Sequence, residues 1–90
     1  MIFKLHIFIS GNVQGVSFRW VTLKKARTGN INGWIRNLSD GSVEAVFEGE
    51  ETKVKALVDF CKQGPSGAIV SNVHVIYDEP VENFKTFEIL

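Results

Sequence analysis

Residues 2–19 read Ile2-Phe3-Lys4-Leu5-His6-Ile7-Phe8-Ile9-Ser10-Gly11-Asn12-Val13-Gln14-Gly15-Val16-Ser17-Phe18-Arg19. The first half alternates: Phe3, Leu5, Ile7 and Ile9 fall on one face, and Lys4, His6, Phe8 and Ser10 on the other. Such a pattern is a strand with one buried side, and Gly11 reads as its end. Asn12–Gly15 is a short loop with a second glycine. A helix is expected from Val16 or Ser17 to about Thr28. Strand, glycine-containing loop and helix, in that order, is an arrangement in which backbone N–H groups converge on an anion.

The elements that follow decide how this unit is completed. In the helix, Phe18, Val21 and Ala26 are expected to face the core, with Trp20 and Leu23 on its flanks. Gly29-Asn30 stops it, since both residues tolerate positive φ. Ile31–Leu38 reads as a second strand, Ser39-Asp40-Gly41 as a hairpin turn and Ser42–Glu48 as a third strand. Glu50–Lys62 is the clearest helix, because Val54, Leu57, Val58 and Cys61 follow the i, i+3, i+4, i+7 spacing. Gly64-Pro65 ends it. Ile69–Tyr77, rich in β-branched residues, is a fourth strand. Asp78–Asn83 is a turn region, and Phe84–Leu90 holds a short last strand with Phe87 and Ile89 on one side.

The order is β-α-β-β-α-β with a short extra C-terminal strand. This is the split βαβ, ferredoxin-like pattern: an α+β fold with two helices on one face of an antiparallel sheet. At 90 residues, one domain over 1–90 is expected. In the usual form of this fold the first two strands are parallel, with the third between them. Their ends then meet at one edge of the sheet, with backbones about 10 Å apart, two interstrand spacings. That edge collects Gly11–Arg19 and Arg36-Asn37.

The net charge is zero but unevenly spread. Residues 1–39 contain Lys4, Arg19, Lys24, Lys25, Arg27 and Arg36 and no acid, whereas residues 40–90 contain all ten acids against four lysines. An anion, if bound, belongs to the first part; solvated helix charge is the other reading open at this point. Gly11 and Gly15 allow close approach and unusual φ values, and the Arg19 fork can grip two oxygens. Taken as composition alone, the same glycines fit plain turn chemistry. No Gly-Lys-Ser/Thr follows, so this is not the phosphate loop of nucleotide hydrolases.

Gly11-Asn12-Val13-Gln14-Gly15-Val16-Ser17-Phe18-Arg19 resembles the first motif of the acylphosphatase family, G-x-V-Q-G-V-x-F/Y-R, at every specified place. Gly33-Trp34-Ile35-Arg36-Asn37-Leu38-Ser39-Asp40-Gly41-Ser42-Val43, with the later Gly49, resembles the second. Ile35 is slightly larger than the residue common there. Gly29-Asn30 stands where the family often has Leu-Gly, a departure that does not touch the chemistry. The resemblance implies a ferredoxin-like fold and hydrolysis of acyl phosphates without a cofactor or metal. It makes Arg19 the phosphate-binding arginine, Asn37 the holder of the attacking water, and the backbone of Gly15, Val16, Ser17, Phe18 and Arg19 the phosphate cradle. It also implies a monomer, with inorganic phosphate as product and inhibitor.

Other residues are read more simply. Cys61, the single cysteine, excludes an internal disulfide and a cysteine-based metal cluster, and suits core filling. His6 and His74 lie in mid-strand, away from the active edge and without metal-ligand spacing. Arg36 alternates to the face opposite Asn37 and reads as surface charge, Trp20 and Trp34 as packing residues. The Ser17 hydroxyl is expected to face solvent or cap the helix. No apolar run reaches the ~20 residues of a membrane span, and the alternation in residues 1–10 argues against a signal peptide, so the expected location is the cytoplasm. An RNA-binding module of the same topology would need exposed aromatics where the third strand carries Glu44 and Glu48; nucleic acid is therefore not an expected partner. A non-catalytic module binding acyl or carbamoyl phosphate is the other alternative, against which Arg19 and Asn37 argue.

Overall fold

The computed structural model describes residues 2–77 and 79–90; Asp78, where the turn region was expected to begin, lies outside the described residues. The elements are β1 (Phe3–Asn12), α1 (Phe18–Thr28), β2 (Asn32–Asn37), β3 (Val43–Gly49), α2 (Glu51–Gln63), β4 (Ile69–Ile76) and β5 (Phe87–Ile89). They form one five-stranded sheet in the order β4-β1-β3-β2-β5. β3 runs antiparallel to both β1 and β2, which are therefore parallel to each other across it. This is the ferredoxin-like α+β arrangement expected from the element order. β4 pairs antiparallel with the outer side of β1. β5 pairs parallel with β2, so the last strand makes the sheet mixed.

The alternation in β1 has the expected result. Leu5, Ile7 and Ile9 are buried with Ile35, Val43, Ala45 and Phe47 beneath Phe18, Leu23, Ala26, Val54, Leu57, Val58 and Cys61 of the helices. Each large side chain buried this way stabilises the fold by roughly 1.5–3 kcal/mol. In α1 the buried face is Phe18, Thr22, Leu23 and Ala26. It is rotated from the expected one: Val21 is only half-buried, and Leu23 belongs to the core rather than the flank. The α2 face is the one its spacing predicts, and the Glu50 carboxylate caps this helix by accepting the Thr52 N–H at 3.0 Å. Burial pushes the Cys61 thiol up to about 12, against a smaller opposing effect of the Thr22 hydroxyl.

Gly11 does not end the first strand. β1 continues to Asn12 through an irregularity between Ser10 and Gly11. There Gly11 takes φ 130°, and a Cβ on it would lie 2.1 Å from the Ile69 carbonyl oxygen. The close approach it permits is to the backbone of β4, not to an anion.

The helix-free face of the sheet carries a charge network. His6 Nε2 lies 2.7 Å from Glu44 Oε2, and Nδ1 lies 3.1 Å from Glu79 Oε1. Arg36 donates to the other Glu44 oxygen at 2.7 Å, so it is a network member rather than a loose surface charge. Lys4 donates to the Pro80 carbonyl and to Glu82, both at 2.8 Å. Glu48 accepts the N–H groups of Glu82 at 2.6 Å and Phe84 at 3.0 Å. These contacts fasten residues 79–84 as a strap that carries the chain across this face, from β4 at one edge to β5 at the other.

Candidate active site

The parallel pair β1 and β2 brings the loop after β1 to the end of β2, as the topology requires. A cleft of about 150 Å³ opens there, lined by Gly15, Ser17, Phe18, Arg19 and Asn37 together with Val13, Trp20 and Ile89. Five of the six residues expected to form the site thus share one hollow. The sixth, Val16, is half-buried against the core, and its side chain does not line the cleft.

The loop is shaped by two left-handed residues. Gly15 has φ 76° and Ser17 has φ 61°. For Gly15 this conformation is free of steric cost. For Ser17 it is strained, by an amount of order 1 kcal/mol or more. Left-handed residues in a tight turn aim successive N–H groups into one concavity, where an anion fits. Ser17 also occupies the N-cap of α1, but its exposed hydroxyl makes no cap bond. The first intrahelical bond runs from Val21 N–H to the Ser17 carbonyl at 3.0 Å. The N–H groups of Phe18, Arg19 and Trp20 therefore have no acceptor within the helix. The first turn holds no acid, so the positive end of the helix dipole is left for another anion.

Two polar side chains in the cleft have a group without a partner among the described residues. Among the described residues the ion pairs involve Lys4, His6, Arg36, Lys55 and Lys62, and Arg19 takes part in none. The Asn37 Oδ1 atom is buried and accepts no hydrogen bond from the described residues. A buried carboxamide oxygen left bare costs about 1–3 kcal/mol, and a water seated in the cleft would satisfy it.

Gln14 explains how the two halves of the site keep register. Its Nε2 donates to the carbonyls of Leu38 at 2.8 Å and Ser42 at 2.9 Å. The loop is thereby tied to the hairpin directly after Asn37. Asp40 secures the same hairpin by accepting the Ser42 hydroxyl at 2.6 Å and its N–H at 2.9 Å. These bonds, the hydroxyl's first, hold the exposed Asp40 carboxyl below its ordinary range. In the sequence Gln14 is a motif residue with no role assigned to it. Its signal was present all the same: a long amide at a fixed place in a loop that needs an anchor. His6 and His74 lie outside the cleft, as expected.

A larger hollow, about 520 Å³, opens between the helices over Ile31, Leu57 and Phe60, with Lys24, Lys25 and Lys53 among its other lining residues. It brings no carboxamide or carboxylate together with its lysines and so offers no hydrolytic chemistry.

Fold and cleft together define a ferredoxin-like domain with a hollow, lined by Arg19, Asn37 and the glycine-containing loop, at the edge where its two parallel core strands end. The acylphosphatase family model matches residues 5–89, and the chain belongs to that family. A curated acylphosphatase from Chloroflexus aurantiacus is 51% identical over 87 residues, covering 97% of this chain and 95% of the relative. An acylphosphatase structure from Coxiella burnetii superposes with a TM-score of 0.93 at 38% identity, covering 99% of this chain and 93% of that one. A similar domain also occurs inside a longer protein. Full-length HypF, in a phosphate- and nucleotide-bound form, matches all of this chain with a TM-score of 0.86 at 29% identity, over 12% of its own length.

Proposed function

We propose that this chain hydrolyses acyl phosphates to a carboxylate and inorganic phosphate, with Arg19 and Asn37 as its catalytic residues. The observation that carries the reading is the buried Oδ1 of Asn37, without a partner among the described residues, in the same cleft as Arg19 and the loop with left-handed Gly15 and Ser17. The loop N–H groups from Gly15 to Arg19 and the Arg19 guanidinium bind the phosphoryl oxygens. Asn37 Oδ1 accepts a hydrogen bond from one water and aims it at phosphorus, in line with the bond to the acyl oxygen. The water oxygen forms a bond to phosphorus as the phosphorus–acyl oxygen bond breaks. The bonding pair leaves with the carboxylate, and the water's proton passes to a phosphoryl oxygen of the substrate. An acyl phosphate is an activated anhydride, so positioning and charge stabilisation supply most of what the reaction needs.

The reading extends to a monomer acting on a small molecule in the cytoplasm. Benzoyl phosphate hydrolysis, measured with and without a chelator and against inorganic phosphate, is the test. Activity unaffected by the chelator, competitive inhibition by phosphate and loss of both activity and phosphate binding in Arg19→Ala are expected. Phosphate binding without hydrolysis would mark a non-catalytic binding module instead.

A further inference from the structure

The catalytic cleft has a wall that the phosphoryl chemistry leaves unused. Trp20, one residue beyond Arg19, is 56% exposed, and Ile89 of β5 is 37% exposed; both line the cleft. Their positions follow from the fold. Phe87 and Ile89 alternate onto the helix side of the sheet. Phe87 is 1% exposed and stacks on Phe47 with ring centroids 5.8 Å apart. Two residues further on, opposite Ile35, the strand passes beyond the core, and Ile89 emerges beside the first turn of α1. The strand is fixed there by the Leu90 N–H bond to the Ile35 carbonyl at 2.9 Å and by the Arg27 bond to the Phe87 carbonyl at 3.1 Å. An indole and a β-branched aliphatic chain, held open to water on rigid elements, flank the anion site.

We propose that Trp20 and Ile89 form the binding subsite for the acyl group and select substrates whose acyl portion is apolar, aromatic ones above all. The proposal rests on the acyl phosphate reading and names the substrate class within it. Such a substrate has two ends of opposite character. Its phosphoryl end is doubly anionic and is held by the loop, while its acyl end has no charge to offer the N–H groups or Arg19. The cleft provides one apolar surface of matching kind. A flat ring laid on the Trp20 indole and against Ile89 removes apolar area from water on both partners, and ring–ring contact adds to that. An acetyl group is too small to cover either residue. The Lys24 amine, 6.0 Å from the Trp20 ring centre, adds a cation beside this wall, so the aromatic contact lies next to positive charge throughout.

The test compares benzoyl phosphate with acetyl phosphate in wild type, Trp20→Ala, Trp20→Phe and Ile89→Ala. Taking the ratio of the two kcat/KM values within each protein, and comparing ratios between proteins, cancels the intrinsic reactivity of the two compounds. Trp20→Ala is expected to lower the benzoyl preference about tenfold, mainly through KM, and Ile89→Ala about threefold. Trp20→Phe is expected to restore most of the preference, and the inhibition constant of inorganic phosphate to stay unchanged in all four. A benzoyl-to-acetyl ratio that is the same in wild type and both alanine variants overturns the subsite. So does a Trp20→Ala variant that loses both substrates and phosphate in equal measure, since Trp20 would then merely support the loop. If wild type hydrolyses neither compound, the catalytic reading itself falls, and the subsite with it.

Discussion

The two faces of this molecule treat charge in opposite ways. On the helix-free face of the sheet, Lys4, His6, Arg36, Glu44, Glu48, Glu79 and Glu82 are all engaged with one another or with strap backbone. At the edge where β1 and β2 end, Arg19 has no ion pair among the described residues and Asn37 Oδ1 has no hydrogen bond. The first region also contains a histidine between two carboxylates, which looks more like chemistry than anything in the second. Yet its groups are mutually satisfied, so their interactions go into holding the strap. The unsatisfied groups at the other edge are where a substrate can gain by binding. In a small domain, bare polar atoms in a cleft point to function better than a dense cluster of titratable ones.

The comparison is broken most visibly by exchanging the roles of the two regions. Arg19→Ala is expected to lower kcat/KM on benzoyl phosphate at least about 10³-fold, because a desolvated charge on the phosphoryl group is lost; the urea midpoint is expected to hold. Glu48→Ala should do the reverse. It strips the N–H groups of Glu82 and Phe84 of a buried acceptor, at a cost of about 2–3 kcal/mol in urea unfolding. The kcat of the folded fraction is expected to remain, because the strap crosses near Asn32, about 17 Å along β2 from Asn37. A Glu48→Ala protein that stays stable but loses turnover would reverse the assignment of the two regions.

A smaller effect sharpens the picture of the core between them. The Cys61 thiol is raised from 9.0 to about 12 by burial, so the unfolded chain ionises first as the pH climbs. This thiol's contribution to stability is complete below about pH 9 and is lost progressively up to about 12. At pH 10 the loss is on the order of 1 kcal/mol. Urea midpoints at pH 7 and pH 10, with Cys61→Ala as the control lacking this thiol, check it. The control should show less loss between the two pH values by that amount.

What could be read ahead of the structure follows the range of the interactions. Strand alternation in residues 3–9, the hairpin at Ser39–Gly41 and the α2 stripe are local, and each element falls within a few residues of its expected span. Gly15, Arg19 and Asn37 fall together because parallel first and second strands must end at one edge. Contacts joining distant residues were not legible. The strap bonds link Lys4 to Pro80 and Glu82, and Glu48 to Glu82 and Phe84, with no local pattern to announce them. Nothing in Phe84–Leu90 states that β5 lies parallel beside β2. Without that register, Ile89 could not be assigned to the cleft, nor could Trp20 be more than a packing residue. Gly11 shows a different difficulty: the same glycine suits an anion loop or a close-packed strand irregularity, and only the position of Ile69 decides between them.

The central claim is that the unpartnered atom of Asn37 serves the reaction and not the fold. Asn37→Ala, measured both for kcat on benzoyl phosphate and for its urea midpoint, tests it directly. The account predicts a kcat lower by about 10²–10³-fold in a protein whose urea midpoint stays close to that of wild type, since Asn37 Oδ1 makes no hydrogen bond to the described residues. A variant that keeps its kcat but unfolds at markedly lower urea would contradict it.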